Sequence, residues 1–272
     1  MGRLNYIKDI HWNELSFDRL YQALERRIIE IPNRIRWQLP TLLKRRNKEN
    51  LKSFRNIHLG ERCFILANGP SLKLMDLSHL KDEYTIGMNR IYLNQKKMGF
   101  LPTYIVVSDV KIQIRQFYSE LEKVTTTKFF NWNGRKYFNT ENDIIYFRQT
   151  FQPEFSDDFA AGVWGGHSVT NVCIQLAYFM GFKQVVLIGK DHSYIEQGVP
   201  GQMVKSTGKE KNHFIDGYYK AGMKWKIPDY KGEELAYLMA KEFFEKSGRE
   251  IIDATVGGKL DIFRKVSFKG LF

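Results

Sequence analysis

The short apolar run Cys63-Phe64-Ile65-Leu66-Ala67 halts at Asn68-Gly69-Pro70-Ser71, and a helix-like pattern follows from Leu72. Few backbone paths suit that order. An unalternated apolar run reads as a strand covered on both faces, as in a parallel sheet, and Gly-Pro-Ser reads as a tight strand-to-helix turn. Pro70 or Ser71 can open the helix, and Gly69 lets main chain approach a neighbour closely. Free N–H groups at such an opening favour a phosphate. A capped turn with no ligand fits the same pattern.

From residue 57 onward, strand-like and helix-like segments alternate. The expected strands are Cys63–Ala67, Tyr84–Met88, Tyr104–Ser108, Lys128–Phe130, Ile144–Phe147, Val185–Ile188 and Glu250–Asp253. The expected helices are Ser71–Leu80, Lys111–Lys123, Ser168–Met180 and Gly232–Lys246. This alternation predicts an α/β fold with a Rossmann-like, doubly wound, mostly parallel sheet. Ligands of such sheets sit beyond the carboxyl ends of the strands, where Asn68, Asn89, Asp109 and Asp191 fall. The Gly-, Lys- and aromatic-rich stretch of about 193–230 reads as a lid inserted over those ends.

Residues 1–56 read as a separate basic helical segment and 57–272 as the catalytic domain. Leu20, Leu24 and Ile28 recur at helical spacing, with Phe17, Tyr21 and Ile31 near the same face and Arg19, Arg26, Arg27, Arg34 and Arg36 interspersed. Such a segment either lies on an anionic membrane or packs on the domain with a solvated basic face. The net charge of +12 calls for an anionic partner. No RRM, helix-turn-helix or zinc-finger signature accompanies that charge, which argues against specific nucleic-acid binding. The two cysteines, Cys63 and Cys173, sit in apolar runs and read as buried thiols of a cytoplasmic protein. No run is apolar for long enough to span a bilayer, so membrane contact would be peripheral.

The first turn carries neither G-x-G-x-x-G nor G-x-x-x-x-G-K-[ST], which disfavours a dinucleotide dehydrogenase and a P-loop ATPase. Gly165-Gly166-His167-Ser168 before a convincing helix offers either a second anion or base-edge site or a plain N-cap. Asp191, after the strand Val185–Ile188, suits ribose hydroxyls, a metal or a structural strand end, and Tyr194 can donate to a phosphate. His213 suits a general base acting on an acceptor hydroxyl. No Cys/His set has zinc spacing and no G-x-S-x-G elbow occurs.

The run Phe64–Leu72, followed by Gly87-Met88-Asn89-Arg90-Ile91-Tyr92, resembles the opening of the bacterial sialyltransferases of glycosyltransferase family 42. It is also similar to the wider family related to the archaeal hydroxymethylpterin pyrophosphokinase, which includes the flagellin-modifying motility accessory factors. The resemblance continues through Gly166–Val169, Ile188–Asp191 and Asn212–Ile215, and omits the basic N-terminal segment. It implies a Rossmann-like, GT-A-variant transferase using a CMP-activated acidic sugar without a metal or other cofactor. Asn68, Gly69, Pro70 and Ser71 would hold the phosphate and sugar region of the donor. Asn89, Gly166 and Ser168 would add contacts, Asp191 would meet the ribose, Tyr194 the departing phosphate, and His213 would be the base. Asp109 stands where the sialyltransferases carry another polar residue, and it needs a Lys, Arg or cation nearby to tolerate an anionic donor. Alternatively Asp109 and Asp191 hold Mg²⁺ in an ATP-dependent pyrophosphokinase acting on a pterin-like alcohol. The expected partners are a nucleotide-sugar donor, a saccharide or lipid-linked saccharide acceptor, and the anionic inner face of the cell membrane. The basic segment and the tail Phe263–Phe272 would dock there, and association of subunits is in keeping with this group.

Overall fold

The computed structural model describes residues 41–139, 143–195, 198–209 and 211–272, together with Ile28, Ile31, Pro32, Ile35 and residues 37–39. The chain divides at Lys44–Arg45 into two units. In the first, Ile28, Ile31, Ile35 and Leu39 are exposed. The rest of the expected amphipathic pattern, Phe17, Leu20, Tyr21 and Leu24 with Arg19, Arg26, Arg27, Arg34 and Arg36, lies outside the described residues.

The second unit starts earlier than the expected boundary at 56–57. In helix α1 (Leu42–Ser53), Leu51 is fully buried in the core. The Asn47 amide bonds to the carbonyl and N–H of Tyr146, at 2.7 and 2.8 Å. Phe54 meets Phe129 edge-on at 5.2 Å. Residues 45–56 therefore belong with the sheet. Their basic side chains resemble a solvated tail, but the apolar side of the same helix covers core.

The strands are β1 (Arg62–Leu66), β2 (Tyr84–Met88), β3 (Tyr104–Val107), β4 (Thr127–Asn131), β5 (Ile144–Phe147), β6 (Gln149–Thr150), β7 (Val163–Trp164), β8 (Gln184–Ile188), β9 (Met203–Lys205), β10 (Lys224–Lys226), β11 (Glu250–Asp253) and β12 (Arg264–Lys265). The central sheet has eight strands in the order β12-β11-β8-β1-β2-β3-β4-β5, every pair parallel. From β1 the chain winds outward to β5, returns on the other side of β1 as β8, and winds away through β11 and β12. The doubly wound α/β expectation holds, and the topological switch lies between β1 and β8. Strands β6 and β7 form a small parallel pair, and β9 with β10 forms an antiparallel ribbon in the expected lid.

Strand periodicity divides the core between two faces. Cys63, Ile65, Ile86, Met88, Val106, Phe129, Val185 and Leu187 share one cluster with Val172, Leu176 and Phe179 of the helix laid across β1–β3. Their alternates Phe64, Leu66, Ile105, Val107, Phe130, Val186 and Ile188 are just as buried on the other face. This is why the strand segments read as continuous apolar runs. The helices after α1 are α2 (Gln95–Met98), α3 (Arg115–Glu122), α4 (Val169–Met180) and α5 (Tyr230–Lys246). Both cysteines are free and buried, and burial pushes their thiols up from the ordinary value.

Two expectations change. The segment expected as one helix, Ser71–Leu80, is two 3₁₀ turns, Pro70–Leu74 and Leu77–Leu80. Met75 is extended between them, and the Asp76 carboxylate accepts from Ser78 N–H at 3.1 Å, restarting the helix instead of continuing it. The tail Phe263–Phe272 is built into the domain. Its Arg264–Lys265 forms β12, Phe263 and Phe268 are buried, and Phe272 stacks on Phe64 at 5.8 Å. Arg264 and Lys265 pair with Glu250 and Asp253. The tail expected to dock on a membrane thus has Phe263 and Phe268 packed into the domain and both basic side chains of β12 in ion pairs. Among the described residues, no helix is long and apolar enough to cross a membrane.

Candidate active site

The turn after β1 and the loop after β8 meet at the switch point. Gly69 N–H donates to Gly189 O at 2.9 Å. The Asp191 carboxylate accepts from Ser71 N–H at 3.1 Å and from Ser71 Oγ at 2.7 Å. Gly69 has ordinary extended dihedrals, φ −70° and ψ 159°, so a left-handed backbone is not what calls for glycine here. A Cβ at that position would lie 2.7 Å from Asp191 Cγ and 2.5 Å from Gly189 O. Pro70 opens the 3₁₀ turn, where a missing N–H costs nothing. The Ser71 N–H expected to meet a phosphate meets the chain's own carboxylate in this structure. Burial raises the Asp191 carboxyl above its ordinary value, against the opposing hydrogen bonds from Ser71.

Asn68 is buried. Its amide donates to Met88 O at 3.0 Å, its own carbonyl accepts from Phe214 N–H at 2.9 Å, and its Oδ1 has no partner. Asn89, past β2, sits in the left-handed region at φ +50°, and its buried Oδ1 is likewise unpartnered. Two adjacent strand ends thus each present an unused acceptor, whose natural partner is an N–H or O–H group. Asp109, past β3, caps a π-turn by accepting from Ile112 N–H at 2.7 Å. Lys226 of the ribbon lies 3.5 Å from its other oxygen. That lysine offsets the Asp109 charge.

Gly166 and Ser168 start α4. Ser168 is its N-cap, accepting from Thr170 N–H at 3.2 Å. Gly166 has φ +53°, and a Cβ there would lie 2.7 Å from both Asn171 Cγ and Ala236 Cβ, so α4 and α5 approach closely around it. His167 Nδ1 reaches Asp229, the N-cap of α5, at 3.0 Å. Gly166, Ser168 and Asp109 form no bond to Ser71 or Asp191.

The lid is an aromatic assembly. The Tyr194 ring stacks on Trp225 with centroids 6.2 Å apart, and its N–H donates to Tyr230 Oη at 2.6 Å. The His213 ring lies face to face with Tyr218 at 3.9 Å and edge-on to Tyr219 at 5.4 Å. Tyr194 and His213 are 6.5 Å apart, ring to ring. Burial, with Lys190 opposing it, pushes the Tyr194 phenol up, so it stays neutral and can donate a hydrogen bond.

Beneath Asp191 lies a charge network that sequence reading missed. The Lys190 side chain is 9% exposed, and its Nζ sits 2.6 Å from Glu233 of α5. Burial works most strongly against the ammonium, but the Glu233 charge and hydrogen bond together with Tyr237 and Tyr194 outweigh it, and the lysine is held raised. His192 Nε2 meets Glu234 at 2.9 Å, and its Nδ1 stands 3.7 Å from Glu233. Burial, aided by the Lys190 charge, lowers His192 below the ordinary histidine value. Glu233 and Glu234 stand more than forty positions along the chain from these partners, and no local spacing announces the pairing. Among the described residues no group of three or more His, Cys, Asp or Glu could hold a metal ion.

Residues 34–197 match the model of the family described as MptE-like, 6-hydroxymethylpterin diphosphokinase MptE-like. The chain belongs to the MptE-like family. The match takes in both ends of the Ser71–Asp191 contact and Tyr194, and stops before His213 and most of the lid. Among solved structures, this MptE-like chain is similar to the MAf glycosyltransferase from Magnetospirillum magneticum AMB-1, with a TM-score of 0.52 and 13% identity. The similarity covers 83% of this chain and 38% of the other, so this chain spans well under half the length of that protein, and the likeness is one of fold. No curated protein matches the chain.

Proposed function

We propose that this MptE-like chain is a glycosyltransferase. It moves an acidic sugar, sialic acid or another nonulosonic acid, from a CMP-activated donor to a saccharide acceptor during surface glycan synthesis. The observation that carries the reading is the meeting of Tyr194 and His213 beside a strand-end turn at the β1–β8 switch. Such a crevice is where doubly wound sheets hold nucleotides. In the transfer, the bond between the anomeric carbon and the phosphate oxygen breaks, and the acceptor oxygen forms the new glycosidic bond. His213 takes the acceptor proton as general base. CMP leaves with the electron pair on its phosphate, and the phenol of Tyr194 donates to it. A preorganised donor aimed at developing charge stabilises such a step. Asp191 would turn from Ser71 to the ribose hydroxyls, leaving Ser71 N–H and Oγ for the phosphate. Asn68 and Asn89 would accept from donor hydroxyl or amino groups, and Gly166 and Ser168 would complete the pocket.

A second reading rests on the description of the family. A Mg-ATP-dependent pyrophosphokinase acting on a pterin-like alcohol would hold Mg²⁺ at Asp109 or Asp191, each first releasing the protein donors it now accepts from. Strands β1 and β2 stand between their strands, about three strand spacings of ~4.8 Å, so one ion would not bridge the two. The exposed Ile28, Ile31, Ile35 and Leu39 support a peripheral site of action at the inner membrane face, with a lipid-linked acceptor.

A thermal-shift panel of CMP, CDP, UDP, GDP and ATP, each with and without Mg²⁺, separates these readings. A ligand of the native state at a hundred times its Kd adds about 2.7 kcal/mol. CMP is expected to stabilise without metal. Stabilisation by ATP with Mg²⁺ alone would replace the transferase with the pyrophosphokinase, and a UDP or GDP response would keep the transferase and discard the CMP donor.

A further inference from the structure

Arg90, in the loop after β2, is a charged side chain only 6% exposed. Burying a guanidinium costs several kcal/mol unless it is paired, so its partners show what its place secures. Its Nη2 donates to Glu120 Oε2 at 3.0 Å, and Glu120 also accepts from Tyr92 Oη at 2.8 Å. Its Nη1 donates to the backbone carbonyl of Tyr218, and its backbone N–H donates to Tyr218 Oη at 3.2 Å. The guanidinium lies 3.9 Å over Phe117 and 5.4 Å from the Tyr218 ring centroid. One residue of the sheet edge therefore holds one residue of the lid by its main chain, its hydroxyl and its ring.

Tyr218 is the ring on which His213 lies, the two planes nearly parallel at 3°. The other side of His213 is tied to the sheet as well, since Phe214 N–H donates to Asn68 O at 2.9 Å. Gln113 holds the hydroxyl of Tyr219, the ring that meets His213 edge-on. The imidazole plane is thus set by rings, and the rings are set by polar groups at the ends of β1, β2 and β3.

We infer that Arg90 is a positioning residue: by clasping Tyr218 against Glu120 and Phe117, it fixes the plane of His213 at the acceptor hydroxyl. This rests on the reading of His213 as the general base. Lysine is a poor substitute, because one ammonium on a flexible stem cannot hold the Tyr218 carbonyl and the Glu120 carboxylate in a fixed fork. A misplaced base lowers turnover without touching donor contacts.

The test uses the full chain with R90K, E120Q, Y218L and H213Q. Two readouts are taken: kcat and donor KM with a CMP-sugar, and the proton shift of the His213 ring by NMR. Stacking on Tyr218 displaces that ring's signals upfield, and Y218L removes the displacement. R90K is expected to lower kcat about tenfold or more, keep donor KM within about twofold, and move the His213 signals toward their Y218L position. E120Q, altered at a half-exposed site, moves both readouts the same way by a smaller amount and decides the matter if R90K does not fold. Wild-type turnover in H213Q would remove the base assignment itself, whatever Arg90 does. An inactive H213Q, with R90K or E120Q retaining wild-type kcat and wild-type His213 signals, would overturn the clasp.

Discussion

Gly69→Ala isolates the contact on which the candidate site is built. The dihedrals of Gly69 suit alanine, so the substitution acts through space alone. The new methyl group would meet Asp191 Cγ at 2.7 Å and Gly189 O at 2.5 Å, well inside van der Waals contact. The carboxylate can swing away, but only by giving up Ser71 N–H and Ser71 Oγ. A hydrogen bond to a charged group contributes about 1.5–3 kcal/mol, and solvation of the released carboxylate returns part of that. The clash with the Gly189 carbonyl adds an overpacking cost of about 1–3 kcal/mol. A net loss of about 2–4 kcal/mol follows, which for a domain of this size lowers Tm by roughly 4–16 °C. Thermal melts followed by circular dichroism measure it. The decisive form is a double-mutant cycle with D191A, where the carboxylate is gone and only the Gly189 clash persists. G69A should then cost less by about 1–2 kcal/mol, since residues in contact are not additive. Equal costs in both backgrounds, or a neutral G69A, would refute the close approach of Asp191 to this turn.

Two further outcomes concern stability. His192 is held below the ordinary histidine value of 6.5, so between its native value and 6.5 the unfolded chain binds more protons than the native one. Native stability therefore falls as pH drops through 6.5, by at most about 1.4 kcal/mol per pH unit, and Tm measured from pH 7.5 down to about 5 should fall less steeply in H192Q. An unchanged slope would show that His192 titrates normally. F268A removes a buried ring that packs edge-on against the stacked Phe64 and Phe272, with centroids 6.5 and 5.4 Å away. It should cost about 3–5 kcal/mol and leave liposome binding unaltered. A stability-neutral F268A with weakened liposome binding would return the tail to the membrane.

The architecture was largely legible because a parallel sheet buried on both faces writes itself as consecutive apolar residues. Cys63–Ala67 and Val185–Ile188 follow that rule, and Tyr84–Met88 keeps it except at Thr85 and Gly87. The edge strand β12 was not legible: it is two residues long, both basic and exposed, and only its pairing with β11 makes it a strand. The 3₁₀ break at Met75–Asp76 was hidden because Asp76 suits a helix surface as well as a cap. The basic stretch before Ser53 misled because charge on one side of α1 conceals Leu51 on the other.

Within the site, chain order was enough to mark the strand ends. Asn68, Asn89, Asp109 and Asp191 each follow an apolar strand, and the winding rule places all four at one edge of the sheet. Local sequence also specified the Gly-Pro-Ser turn and the Ser168 cap, because dihedral limits and capping act over a few residues. Only the tertiary structure decided what those groups touch. Ser71 is bound to a carboxylate 120 positions away, Lys226 neutralises Asp109, Glu233 holds Lys190, and Arg90 reaches the lid to seat the ring under His213. Such contacts depend on how the loops after different strands close over the sheet. Hydrogen bonds and ion pairs act at about 3 Å whatever the separation in sequence, so no periodicity encodes them.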